Sequence, residues 1–450
     1  MTYLISYSCW IPVAAACLCA QATFAKPMTL DSVRQQALAG NHFLKAARLK
    51  MDESAAKLER SRVEFLPIVS ISAMYAHFWE VPVITASAGA FGAIPLGGQS
   101  VPMPPDNQEL FRGDKNLLSA DVLAYQPITQ LWKIFTGVEA SKAEAGLAAI
   151  QAESARREIL LGVESAWFGL RVSDWDRRKA EARVAMARQS LQDAESALGA
   201  GKLIDAGRAG LAAALADEER KLLEAESNSQ NLQAELRALL GMDSAEAIEA
   251  DTAALAELPD PPPLEDCIRT ALDGHDGLRQ ARLQEDQARL ALKAAKQTYI
   301  PDVGLVGGMS WQNNGSTYFP EFDPFVGVMA SWNLRGLYAN RYESEAKAYL
   351  SRQASENRLG NQQKVRVEVE KAWRKLSNAK SQLQVARKAR DYRLEDRRDQ
   401  ARRLQAGLIV KSAWLECEAQ WAEAESNLAG AEALVHLSAT ELFNTMGKGP

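Results

Sequence analysis

Apolar and polar positions first repeat at helical spacing. Leu30, Val33, Ala37 and Leu38 form one stripe, with Thr29 as a candidate N-cap and Asp31 near the positive helix end, until Gly40-Asn41 breaks it. A longer helix is predicted from about Phe43 to Phe65, and a partner from about Leu278 to Tyr299. Pro67 and Pro301 close those two runs, because proline cannot continue the hydrogen-bond ladder. The period then changes to two. Val69, Ile71, Ala73 and Tyr75 share one side against Ser70 and Ser72, and Val303, Leu305, Met309 and Trp311 lie opposite Gly304, Gly308 and Ser310. A second strand in each place carries Leu118, Ala120, Val122 and Ala124 against Ser119, Asp121 and Tyr125. Its counterpart carries Val326, Val328, Ala330 and Trp332 against Gly327, Ser331 and Asn333.

Proline-free stretches rich in Ala, Glu, Leu, Arg and Gln follow, from about 138 to 198 and from about 339 to 404. At 1.5 Å per residue they would measure roughly 90 and 100 Å, which a coiled-coil tube accommodates and a globular core does not. Leu198-Gly-Ala-Gly-Lys-Leu203 and Leu404-Gln-Ala-Gly-Leu-Ile409 read as turns, after which helices return to Leu240 and Met446. Charge runs on these helices read as solvated faces.

The elements recur because the sequence does. Leu30, Ala37, Leu38, Gly40, Leu44, Asp52, Leu58, Pro67 and Val69 reappear 234 residues later. Further along, Val163-Glu164-x-Ala166-Trp167, Ala200-Gly201, Glu235-Leu236 and Gly241 reappear 206 residues later. The fall from 234 to 206 places a loop 28 residues longer in the first copy, between Val69 and Val163. The expected organisation is a first repeat over 26–242, with a β-hairpin at about 67–129 and a helical hairpin at about 138–240. A linker covers 243–263. The second repeat, 264–450, has its hairpins at about 301–334 and 339–446. The connection from Glu80 to Lys115, rich in Gly, Pro, Ala and Ser, reads as a flexible outer loop.

Strands of roughly ten residues, apolar on one side and polar on the other, suit a transmembrane β-barrel, with Tyr75, Trp79, Trp311 and Trp332 as candidate interfacial aromatics. An ordinary sheet with one buried face gives the same pattern.

Export is expected from the first 25 residues, where an apolar run from Ile11 to Ala20 leads to Thr23-Phe24-Ala25, a small-x-small cleavage site. No Lys or Arg precedes that run. A membrane anchor, or lipidation at Cys17 or Cys19, is the alternative. The two remaining cysteines, Cys267 and Cys417, read as separate and structurally ordinary.

Composition removes several function classes. With 52 Lys and Arg against 57 Asp and Glu, net charge −5, no basic excess invites nucleic acid. His42, His77, His275 and His436 have no metal-ligand spacing, and no phosphate loop or nucleophile elbow occurs, so neither metal, cofactor nor catalysis is expected.

Taken in order, the Leu-(Asp/Glu)…Ala-Leu…Gly-(Asn/His) opening, (Phe/Tyr)-(Leu/Ile)-Pro before each first strand, Tyr125-Gln126-Pro127-Ile128, Ala330-Ser331-Trp332-Asn333-Leu334, the Ala-Gly turns and the closing Glu-Leu…Gly resemble the TolC-like outer-membrane efflux factors. The resemblance spans essentially the whole mature chain. It implies a mainly α fold with transmembrane β: a trimeric 12-stranded β-barrel, four strands per chain, continued by a long α-helical coiled-coil barrel in the periplasm. It implies a homotrimer in outer-membrane lipid that meets a periplasmic adaptor and, through it, an inner-membrane transporter. The turns would then be the tip where the adaptor docks, at Gly201, Lys202, Leu203 and Asp205 and at Gly407, Leu408, Ile409 and Lys411. Acidic residues often constrict such pores just after the second turn. Here the positions hold Ala413 and Glu416, so Glu416 is the one candidate constricting charge. A periplasmic coiled-coil adaptor and an exported enzyme with helical arms are the rival classes. The first should show a single helical hairpin and the second a clustered polar site.

Overall fold

The computed structural model describes residues 26–81, 83–199, 205–242, 248–251, 258, 260–313 and 320–448. The proposed signal segment and the first helical turn, with Gly201, Lys202 and Leu203, lie outside the described residues. In chain order the first half holds β1 (Lys26–Met28), α1 (Leu30–Gly40), α2 (His42–Val63), β2 (Ile68–His77), β3 (Val83–Ala86), β4 (Ala93–Leu96), β5 (Gln99–Pro102), β6 (Gln108–Arg112), β7 (Asn116–Pro127), α3 (Leu131–Gly199) and α4 (Asp205–Leu240). The second holds β8 (Ile248–Ala250), α5 (Leu264–Gly274), α6 (Asp276–Gln297), β9 (Asp302–Gln312), β10 (Phe322–Ser331), α7 (Leu334–Gln405) and α8 (Lys411–Thr445). The 69 residues of α3 and 72 of α7 correspond to about 100 and 110 Å of helix. Among the described residues no helix is long and apolar enough to cross a membrane.

Chain contacts gather into two compact units. One comprises Met1–Lys45, Ala155–Leu264 and Val369–Pro450. Its core packs Val33 and Ala37 of α1 against Val163, Ala166, Trp167, Phe168 and Leu170 of α3, Leu236 and Leu240 of α4, and Ile248. The Thr29 side chain accepts from the Ser32 N–H and caps α1, as its sequence position predicts. A two-stranded parallel ribbon pairs β1 with β8. Gly40 and Gly241 stand back to back, so close that a Cβ on Gly40 would fall 2.2 Å from the Leu240 carbonyl oxygen. The Asn41 amide beside them donates to the Leu239 carbonyl at 2.9 Å.

Within this unit the duplication reaches single hydrogen bonds. The Trp167 indole donates to the Met28 carbonyl, and the Trp373 indole to the Pro262 carbonyl, each at 3.0 Å. These donors are related by the 206 offset and the acceptors by the 234 offset. The copies diverge one turn away. Fully buried Glu164 accepts from Arg34 Nε at 2.9 Å and Nη2 at 2.7 Å, and from Thr440 Oγ1 at 2.7 Å. Its counterpart Glu370 binds Arg374 of its own helix at 3.0 Å, and Ile268 stands where Arg34 would.

The second unit comprises Ala46–Ser154 and Glu265–Glu368. Glu285, buried on α6, accepts from Arg289 and from Arg358 Nε, both at 2.7 Å. Its centre is a four-stranded antiparallel sheet in the order β10-β9-β7-β2, which joins the two hairpins through β7 and β9. Every pair of the β2–β7 ladder maps onto a β9–β10 pair: Val69↔Ala124 onto Val303↔Ala330, Tyr75↔Leu118 onto Met309↔Pro324. The change of offset therefore falls in the hairpin connection, 78–115 in one copy and 313–321 in the other.

Two sequence expectations need correction. The last strand starts at Phe322 and stops at Ser331, so Ala120, not Leu118, is the counterpart of Val326, and Trp332 and Asn333 lie beyond it. Pro324 and Gly327 masked its first half, since both residues are poor strand formers. Asn333 instead accepts from the Gly336 N–H and caps the start of α7. The stretch from Glu80 to Lys115 is also not a plain loop: β3 pairs with β6 and β4 with β5. Its small residues are turn residues between short ladders.

Candidate functional site

The strands of the four-stranded sheet are 10 to 12 residues long, enough to cross a bilayer core when tilted. Register sorts their side chains onto two faces. One row runs Val69, Ala124, Gly307, Val326; the next on that face runs Ile71, Val122, Met309, Pro324, and then Ala73, Ala120, Trp311, Phe322. All are apolar. On the opposite face a row runs Ser72, Asp121, Ser310, Asp323 across all four strands. That face also accommodates rings. A Cβ on Gly304 would fall 2.5 Å from the Tyr125 ring, and one on Gly308 3.0 Å from the Phe325 ring, so each glycine is roofed by an aromatic of a neighbouring strand.

An ordinary sheet would bury its apolar face, and this one does not: Ile71 is 78% and Val326 85% exposed. Among the described residues, the outer edges of β2 and β10 have no neighbouring strand. Tyr75 and Trp311 lie on the apolar face near one end and Trp332 just beyond the other end, all exposed, as is Trp79 beyond β2. Below the sheet Thr129 Oγ1 donates to the Pro301 carbonyl and accepts from the Val303 N–H, each at 2.8 Å, and Lys133 reaches Asp302 at 2.6 Å. These bonds fix where strand gives way to helix. The Gln126 amide of the Tyr-Gln-Pro-Ile segment adds a 3.3 Å bond to the Phe65 carbonyl.

At the far end of α7 the chain turns through Gly407, with φ +70°. The Gly407 N–H donates to the Leu404 carbonyl at 3.0 Å and the Leu408 N–H to Arg403 at 2.9 Å, a Schellman closure. Leu408 and Val410 are exposed apolar residues at this turn, Ile409 is half-buried and Lys411 exposed. Lys411 opens α8, and Asp205 opens α4. The Asp193 carboxylate, near the end of α3, accepts from Gln189 at 2.9 Å and from Ser412, with Lys411 close by. These groups, in that order, hold it below the usual carboxylate range. Glu416 is exposed and meets Gln420 of its own helix at 3.4 Å. Ala413, one turn earlier, is exposed as well.

Residues 267–448 match the profile of a family described as outer membrane efflux protein. Over that stretch, the second half of the chain, the sequence is similar to outer membrane efflux proteins. The chain shares its fold with the Campylobacter jejuni CmeC outer membrane channel at a TM-score of 0.74 and 16% identity, covering 93% of this chain and 85% of that one. The outer membrane protein VceC from Vibrio cholerae aligns at 0.70 and 15% (93% and 96% covered), and the open state of the Neisseria gonorrhoeae MtrE outer membrane channel at 0.66 and 14% (93% and 89%). No curated protein matches the chain.

Sequence reasoning found Asp121 on the polar face but missed Asp323, whose strand it began too late. It also missed Asp193, since contacts between different helices leave no sequence spacing. Among the described residues no group of three or more His, Cys, Asp or Glu could hold a metal. Cys267 and Cys417 are buried, and neither is in a disulfide among the described residues. Burial, then the neighbouring Asp396 charge, pushes the Cys417 thiol up to about 11. It should therefore resist alkylation by iodoacetamide at pH 8 in the folded protein and react on unfolding, as mass spectrometry would read. At the turn, Gly407→Ala should cost about 1–2 kcal/mol, the penalty for a Cβ in left-handed backbone, and Gly407→Asn less, measured by thermal unfolding.

Proposed function

We propose that the chain is the outer-membrane exit duct of a tripartite efflux or secretion system: a passive conduit through which an inner-membrane pump, joined by a periplasmic adaptor, empties cargo outside the cell. The observation that carries this reading is the four-stranded sheet, with an exposed apolar face, an opposite face crossed by a polar row, and two edges unpaired among the described residues. An open edge is not tolerated in lipid, so β10 of one copy must pair with β2 of another. Three copies give twelve strands, a closed barrel with the apolar face toward lipid and the Ser72-Asp121-Ser310-Asp323 rows toward water. Exposed aromatics near both ends of the apolar face supply the interfacial girdles of such barrels. The helices α3, α4, α7 and α8 continue the duct as a coiled-coil tunnel, and conduction asks no catalytic chemistry of them.

The tip is the place for the adaptor. Gly201, Lys202, Leu203 and Asp205 on one turn and Gly407, Leu408, Ile409 and Lys411 on the other would form the docking surface, supported by the exposed Leu408 and Val410. Glu416 would be a constricting charge behind it, in which case Glu416→Ala changes pore conductance.

Purified protein reconstituted into planar lipid bilayers tests the proposal. Discrete single-channel current steps are the expected result. Current-free membranes, with the protein shown by flotation to be inserted, would overturn it.

A further inference from the structure

The sheet carries an arm that the duct does not require. Between β2 and β7 the first copy inserts the β3–β6 and β4–β5 ladders, and from Val81 to Pro105 the sequence has no charged residue. Charge returns only at the base, with Asp106, the Glu109–Arg112 pair, Asp114 and Lys115. The end of the arm is a hairpin turned by Gly97-Gly98, both at positive φ (60° and 90°), as a two-residue turn between antiparallel strands requires. Ile84, Phe91, Ile94 and Leu96 are exposed on it.

Neither water nor lipid suits this arm. Water leaves a run of bare apolar side chains, and a two-stranded hairpin is marginal alone. Lipid covers the side chains but leaves the outer N–H and C=O groups of β4 and β5 unpaired. Another protein surface satisfies both. In the trimer that surface is already present at high effective concentration, because the arm rises from the hairpin containing the open edge β2, where copies would meet. Identical arms around a threefold axis bring each charge beside its own images, so an uncharged stretch is what such packing needs.

We infer that the three uncharged arms of a trimer pack against one another across the outer mouth and narrow it, so that the exit has a second constriction away from the periplasmic tip. The inference rests on the trimeric duct proposed above.

The test uses full-length protein with Cys267→Ala and Cys417→Ala, so that an added thiol is unique. With Leu96→Cys, mild oxidation of the detergent-solubilised trimer should give a covalent dimer, and Glu109→Cys at the arm base should not. Separately, Leu96→Asp should raise single-channel conductance at least twofold while the mass stays at three chains. No cross-link from Leu96→Cys, or unchanged conductance with Leu96→Asp, in a particle that still weighs three chains would overturn the inference. So would labelling of the Leu96→Cys thiol by a reagent dissolved in the bilayer, which would place the arm in lipid. A particle that does not weigh three chains would refute the duct itself, a separate failure recognised by mass alone.

Discussion

Val326→Arg is expected to remove the protein from the outer membrane as an assembled particle. Val326 sits mid-strand on β10, 85% exposed, in a row with Gly307, Ala124 and Val69. If that row faces lipid, an arginine there costs about 2–4 kcal/mol per chain, hence about 6–12 kcal/mol for a trimer. Ser72→Arg changes the opposite face of the same sheet, in the polar row with Asp121, Ser310 and Asp323. It should assemble normally and shift the pore toward anions. Particle mass and reversal potential in a salt gradient separate the two variants. Equal tolerance of both arginines would mean that the faces are not lipid and water.

The second large effect is expected in the other unit. Arg34→Ala leaves the fully buried Glu164 carboxylate with only the Thr440 hydroxyl, and stranding a buried charge costs about 3–5 kcal/mol. Adding Glu164→Gln should recover most of the loss, since the amide carries no charge to solvate. The duplication supplies a control. Glu370 pairs with Arg374 along its own exposed helix face, so Arg374→Ala should cost at most about 0.5 kcal/mol. Thermal unfolding followed by circular dichroism reads all three. A small effect of Arg34→Ala would mean that water reaches Glu164.

Much of this fold was legible because the chain says it twice. Trp167 and Trp373, Pro67 and Pro301, and Gly241 and Gly447 each fix an element independently in two copies, and a misreading of one is checked by the other. Periodicity also separated helix from strand where proline divides them. What stayed hidden has physical causes. Pro324 and Gly327 disguised half of β10, which tolerates them near an unpaired edge. The ladders between β2 and β7 are four or five residues each, too short for alternation to stand out from turn residues. The Arg34–Glu164 and Asp193–Ser412 contacts join residues more than a hundred positions apart, and no local pattern encodes them. The turn at Gly407 was legible from its Ala-Gly dipeptide, whereas the exposure of Leu408 and Val410 emerged only once the turn was folded.

The account stands on the claim that this sheet closes only with two further copies. The most direct measurement is the protein mass, by light scattering with the detergent contribution subtracted, of the particle extracted from outer-membrane fractions. Three chains per particle is the result expected. A single chain, released from the periplasm without detergent, would leave β2 and β10 as ordinary exposed edges and contradict the duct.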